Sequence, residues 1–195
     1  MFSNADSASF SEPLKLGLLT VGHGTLSADV FAALLRDAGI ARLVDVRTIP
    51  KSRHNPQFVD ETLAETLKQS GIAYTWEPRL GGLRGKPPGA SPDVALRNAS
   101  FRNYAAHMRA PEFREALAQV LEGAARERTA IMCSESLWWR CHRRMIADHL
   151  TLLDDISVLH LMHDGKQAQH VPTSGVRVSG NELIYDVTEQ PPLPL

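Results

Sequence analysis

Short apolar runs alternate with longer stretches of helical periodicity along this chain. Leu16 to Val21 is dense in Leu and Val and breaks at Gly22-His23-Gly24-Thr25, the pattern of a buried strand running into a loop. Ser27 is placed to cap a helix whose Val30, Phe31, Leu34, Leu35 and Ala38 recur on one face, with Gly39 to stop it. Leu43 to Val46 predicts a second strand. Asn55-Pro56 predicts a cap with proline at the first helical position, and Leu63 and Leu67 carry that helix to Gly71. Ile72 to Trp76 predicts a third strand, Thr129 to Met132 a fourth and Val158 to Met162 a fifth. Between them, Phe101, Tyr104 and Met108 share one helical face. Phe113, Leu117, Val120, Leu121 and Ala124 share another after Pro111, and Met145, Ile146, His149, Leu150 and Leu153 share a third. Val176 to Val178 and Leu183 to Tyr185 flank Ser179-Gly180-Asn181, which predicts a terminal hairpin.

Strands that alternate with helices predict an α/β fold: a mostly parallel sheet flanked by helices, Rossmann-like in three layers, with a small C-terminal hairpin. The 195 residues suit one domain, read as 14–188. Met1 to Pro13 is polar and aperiodic, and Gln190 to Leu195 holds three prolines, so 1–13 and 189–195 are expected as flexible tails. Composition changes this picture little: 43% hydrophobic and 22% charged residues describe an ordinary folded chain, and a core can form without disulfides. Charge excludes more. With 21 Lys and Arg against 22 Asp and Glu, the formal charge of −1 argues against a polybasic nucleic-acid binder. No apolar run is long enough to span a bilayer, so no membrane partner is expected. Met1 to Pro13 has neither the basic nor the apolar segment of a secretion signal. A cytoplasmic protein is expected, with its two cysteines, Cys133 and Cys141, as reduced thiols.

In an open parallel sheet the ligand crevice lies beyond the carboxyl ends of the strands. His23 follows the first strand, Asp45 and Arg47 the second, and Cys133 and Glu135 the fourth, so all would project toward one rim. The Gly- and Pro-rich segment from Glu77 to Asn98, with Leu80-Gly81-Gly82 in it, is long and irregular enough to be a binding loop over that rim. The densest cluster is Cys133-Ser134-Glu135-Ser136-Leu137-Trp138-Trp139-Arg140-Cys141-His142-Arg143. A thiol between a strand end and a helix start feels the positive helix end and nearby guanidinium groups, which favour thiolate. That makes Cys133 a candidate nucleophile; the alternative is an inert buried thiol closing a core strand. The layout is similar to the Cys-x5-Arg loop of tyrosine phosphatases, with six intervening residues here instead. Cys-x7-Cys-His matches none of the usual zinc spacings, so no metal is expected and Cys141 is read as packing in a first helical turn.

His142 and His23 are candidates for proton transfer, Glu135 for a general base, and Asp45 for a carboxylate that orients Arg47 or a histidine. Arg47, Arg53, His54, Arg79, Arg84, Arg140 and Arg143 fall in or near the rim loops, and Arg forks match phosphate or carboxylate geometry. Surface ion pairs would account for a share of them.

These residues carry a resemblance. Gly22-His23, Val44-Asp45-Val46-Arg47, Pro50, Ser52-Arg53, Asn55-Pro56-Gln57-Phe58, Leu80-Gly81-Gly82, Phe101 with Tyr104 and Met108, and Cys133-x-Glu135 followed by Arg140-Cys141-His142-Arg143 resemble the domain of unknown function 488 family over about residues 17–162. Ser136-Leu137 departs from a proline often found before the Trp-Arg-Cys-His run, and Gly24 stands where a serine is common. The resemblance implies an α/β fold and a site, with Asn55, Gly81, Gly82 and Tyr104 joining the arginines as binding positions, and it implies no substrate.

Two functions follow as expectations. One is an enzyme acting on a small anionic, phosphorylated or nucleotide-like substrate, in which Cys133, Glu135, His142, His23 and Asp45 are catalytic. Arg47, Arg53, Asn55, Gly81, Gly82, Tyr104, Arg140 and Arg143 then bind the substrate. The other is a non-catalytic module that reads a nucleotide or nucleic-acid phosphate through the same arginines, with Trp138, Trp139 and Tyr104 stacking on bases. The chain has no Gly-x-Gly-x-x-Gly after a strand and no Gly-x4-Gly-Lys-Ser/Thr loop, so no dinucleotide, ATP or other cofactor is expected.

Overall fold

The structure, a computed structural model, describes residues 17–52 and 54–188. The two expected tails and Arg53 lie outside the described residues. Six strands form the main sheet: β1 (Gly17–Gly22), β2 (Arg42–Asp45), β3 (Ala73–Trp76), β4 (Thr129–Cys133), β5 (Ser157–Leu161) and β6 (Gln167–Gln169). Their order is β3-β2-β4-β1-β5-β6; every pairing is parallel except that of β6 with β5.

Alternation along the strands sends neighbouring side chains to opposite faces. Leu18, Val44, Ile131 and Val158 enter the core under α3 (Ala99–Met108), α4 (Pro111–Ala124) and α5 (Arg143–Leu152). Leu19, Leu43, Ala130 and Leu161 enter the core under α1 (Ala28–Asp37) and α2 (Asp60–Gln69). Both faces of the sheet are covered, which is why its strands read as near-continuous apolar runs. The hairpin of β7 (Val176–Ser179) and β8 (Glu182–Tyr185) stands apart as a two-stranded sheet and buries Leu183 and Tyr185 in the first core.

Ser27 caps α1 as expected, its hydroxyl accepting from the Val30 amide at 3.3 Å. Asn55-Pro56 does not open one continuous helix. Pro56–Phe58 is a single 3-10 turn, Val59 is extended, and α2 starts at Asp60, so Asn55 makes no side-chain cap bond. Burial of Phe58 explains the break: its ring lies edge-on to Phe31 at 5.3 Å and flat on His23 at 4.0 Å, which a helix running straight through would not allow. β6 is polar and short and gave no apolar signal. The segment after Cys133 is a loop with one 3-10 turn, Trp138–Arg140, and α5 begins only at Arg143.

The chain leaves β1 through α1 on one face of the sheet to reach β2, and leaves β4 through α5 on the other face to reach β5. β1 and β4 are neighbours in register, Gly22 beside Cys133. The carboxyl ends of these two strands therefore form the switch point at which connections diverge and a crevice opens.

Candidate functional site

A cavity of about 740 Å³ lies at that switch point. The β1 and β4 ladder continues past the strand ends into its wall, with His23 N–H donating to the Cys133 carbonyl at 3.0 Å and Gly24 N–H to the Ser134 carbonyl at 2.9 Å. Gly22 is required for that approach, because a Cβ there would collide with the Glu135 carbonyl and stand 2.7 Å from Arg143 Nη2. Of the expected site residues, His23, Arg47, Asn55, Gly82, Cys133, Glu135, Arg140 and His142 line the cavity. Asp45, Gly81, Tyr104 and Arg143 do not. Each of those four supports a residue that does.

Asp45 is fully buried and is spent on Arg47: it accepts from the Arg47 backbone amide at 3.0 Å, from Nε at 2.9 and 3.0 Å, and from Nη2 at 2.5 Å. Tyr74 donates to the same carboxylate at 2.8 Å, and Trp76 Nε1 donates to the Arg47 carbonyl at 2.9 Å. Burial and the Asp45 carboxylate push the Tyr74 hydroxyl well above its usual value, so it stays a donor. The side-chain pair thus holds the Arg47 guanidinium at the cavity wall, and Asp45 is the carboxylate that orients Arg47. Arg47 Nη1 reaches His23 Nε2 at 3.4 Å, while His23 Nδ1 donates to the Gly24 carbonyl at 2.8 Å. Burial, with the Arg47 charge beside it, brings His23 down to about 4, so the ring is neutral and Nε2 is an acceptor at the cavity wall.

Tyr104 is fully buried, donates to the Leu80 carbonyl at 2.8 Å, and sets its ring against His142 at 5.0 Å. It holds the Leu80-Gly81-Gly82 loop. Arg84 does the same through the Gly81, Pro78 and Arg79 carbonyls. Small residues in this loop are a packing requirement: a Cβ on Gly81 would collide with Thr48, and one on Gly82 would lie 2.5 Å from His142 Nδ1. Arg79 pairs with Glu77 and Gln119, and His54 is exposed, so neither joins the cavity lining.

The centre of the wall is a cluster of two thiols and an imidazole. His142 Nδ1 is 3.6 Å from Cys141 Sγ and 3.9 Å from Cys133 Sγ, and the three groups are buried with their ligand atoms within 4.8 Å of one another. His142 Nε2 lies 3.2 Å from the Val46 carbonyl, which can only accept. Nε2 therefore carries the proton, and the Nδ1 lone pair faces the sulfurs. Spacing along the chain concealed this proximity. The loop from 134 to 140 returns Cys141 to the strand end where Cys133 sits.

Arg143 is 1% exposed, with Nε donating to Cys141 Sγ at 3.4 Å, Nη1 to Thr20 Oγ1 at 3.3 Å, and Nη2 to the Glu135 carbonyl. Its donors are consumed inside the protein, so it sets the loop and the sulfur, while the cationic Arg47, Arg140 and Lys51 line the cavity. Its charge also favours the ionised form of Cys141. A hydrogen bond to Cys141 and burial push the Cys133 thiol up. Burial would raise Cys141 as well, but the bond from Cys133 and the Arg143 charge outweigh it and draw Cys141 down. The downward shift expected at Cys133 thus falls on Cys141, and Cys133 is shifted the other way.

Sequence reasoning missed Cys141 and Lys51 as site residues and missed a second buried polar network altogether. In that network Thr20, His160, His170, Asp148 and Tyr185 are linked by contacts of 2.7, 3.0, 2.9 and 2.9 Å. The available signal was polar residues at core positions, His160 inside Val158–Met162 and Asp148 inside α5.

Fold and crevice together define an α/β protein with a cavity at its sheet switch point that is lined by cationic side chains, two thiols and an imidazole. Its family is the one described as domain of unknown function DUF488, whose model matches residues 27–150, and the chain belongs to it. The match includes the Asp45–Arg47, Gly81-Gly82 and Cys133–Arg143 segments and begins after His23. No curated protein and no solved structure matches the chain. Among the described residues no helix is long and apolar enough to cross a membrane.

Proposed function

We propose that the crevice is an active site that binds and transforms a small anionic substrate, phosphorylated or nucleotide-like, with Arg47, Arg140 and Lys51 as the anion clamp. The Cys133, Cys141 and His142 cluster is its chemical centre, and the neutral His23 and the exposed carboxylate of Glu135 are available for proton transfer. One observation carries this reading: three cationic side chains and the thiol-imidazole cluster line the same cavity of about 740 Å³, large enough for a nucleotide-sized ligand. Arg47 is held rigid by Asp45, which lowers the ordering cost of gripping an anion.

Binding without chemistry would not call for two thiols and an oriented imidazole. The nucleic-acid reading also asks for a stacking platform of Trp138, Trp139 and Tyr104. Tyr104 is fully buried and Trp138 lies flat on His160 at 4.0 Å, which leaves only Trp139 exposed among the three.

The test is a thermal-shift and calorimetric screen of phosphate monoesters, nucleoside mono- and diphosphates and sugar phosphates, followed by product analysis of each binder. A ligand that raises Tm, loses affinity at least tenfold in Arg140→Ala, and is converted by the wild type and not by His142→Ala is the expected result. Saturable binding to none of these anions, or conversion unaffected by both variants, overturns the proposal.

A further inference from the structure

The geometry points to a zinc site built by Cys133 Sγ, Cys141 Sγ and His142 Nδ1, with its fourth coordination position open to the cavity. Tetrahedral zinc with Zn–S of about 2.3 Å and Zn–N of about 2.0 Å places nitrogen and sulfur ligands about 3.6 Å apart. The observed separations are 3.6 Å to Cys141 and 3.9 Å to Cys133, and the three ligand atoms all fall within 4.8 Å of one another. A shift of a few tenths of an ångström closes them around an ion.

The surroundings match a metal centre in a second, independent respect. A histidine that ligates metal donates its other ring N–H to a carbonyl or carboxylate, fixing the tautomer and the ring. His142 does this to the Val46 carbonyl at 3.2 Å. Arg143 Nε donates to Cys141 Sγ at 3.4 Å, as outer-shell donors do to a ligating thiolate. Each ligand also sits on a rigid element: Cys133 ends β4 with its carbonyl held by His23, Cys141 N–H bonds the Trp138 carbonyl, and His142 caps α5. Glycine at 82 keeps side-chain bulk away from Nδ1.

Zn²⁺ with two thiolates and a neutral imidazole carries no net charge. Arg47, Arg140 and Lys51 on the cavity wall then make the open position attractive to an anion. This goes beyond the proposed function, because metal binding is measured with no substrate present and stands or falls separately from the anion clamp.

The test is titration of chelator-treated, reduced full chain with Co²⁺, followed by displacement with Zn²⁺. The expected result is one equivalent of Co²⁺ per chain, visible bands of a four-coordinate ion, and a near-ultraviolet charge-transfer band of two-thiolate intensity that one equivalent of Zn²⁺ abolishes. Cys133 and Cys141 are the chain's only cysteines, so a two-thiolate band from the wild type identifies both ligands even where a variant fails to fold. Cys133→Ser and Cys141→Ser should each weaken uptake by about 100-fold or more and halve the band, while His142→Ala should weaken uptake and move the visible bands. A six-coordinate spectrum, no saturable uptake, or uptake unchanged in both cysteine variants overturns the site.

Discussion

Two buried polar clusters flank Arg143, and only one of them opens on the cavity. On the side of Thr20, every group is answered within the protein: Thr20 with His160, His160 with His170, and Asp148 with His170, Tyr185 and the Thr173 amide. On the side of Cys141, the Nδ1 lone pair and two sulfurs face one another and a cavity. The residue types overlap, since both clusters use histidine with the same arginine, and both are buried. Burial and a titratable side chain therefore do not mark chemistry by themselves. A network closed within the core specifies the fold, whereas thiols and an imidazole that line a cavity keep their ligand atoms within reach of an incoming group.

The comparison is broken most severely at Asp148. Asp148→Ala strips three donors of their buried acceptor and should cost about 3 kcal/mol or more in urea unfolding. A loss below about 1 kcal/mol would mean that the network is not a structural unit. On the other side, His142→Ala should lower turnover of any substrate found by the screen about 100-fold, equivalent to about 2.7 kcal/mol of barrier, while urea stability falls less than in Asp148→Ala.

Acid sharpens the contrast further. Burial, with His170 and Arg143 nearby, brings His160 down to about 3, against an unfolded value of about 6.5. The neutral ring is the folded form, so its stabilising effect is complete above about pH 6.5 and is lost as pH falls toward 3. At about pH 5 this removes about 2 kcal/mol, and His160→Gln should flatten that part of the stability curve measured by urea midpoints. An unchanged slope in the variant would assign the acid sensitivity elsewhere, with His23, brought down to about 4, next in line. The smallest effect is expected at Glu135, whose carbonyl is used by Arg143 while its exposed carboxylate has no structural role. Glu135→Gln should leave stability within about 0.5 kcal/mol. A pH-rate profile that keeps its acidic limb in this variant removes Glu135 from the chemistry.

The strands and most helices were legible because each buries one periodic face: Leu18 and Leu19, Val44 and Leu43, and Ile131 and Ala130 part to opposite cores as alternation requires. The rim was legible for the same reason, since strand ends and parallel topology suffice to gather His23, Arg47, Cys133 and Glu135. What those residues do there was less so. Asp45, Tyr104 and Arg143 have the chemistry of site residues and spend it on their neighbours, which depends on distances that no spacing encodes. Phe58 broke the expected helix at Val59 because its ring had a place between His23 and Phe31.

The amino-acid order by itself determined a three-layer α/β protein whose polar strand-end residues gather at one end of the sheet, because hydrophobic period and the alternation of strands with helices are local properties read along the chain. Only the tertiary structure decided that Cys141 returns to Cys133, that His142 turns Nδ1 toward both, and that Arg143 donates into both buried clusters. Those outcomes depend on how a loop packs against a sheet edge, where a few tenths of an ångström separate a spent donor from a free one.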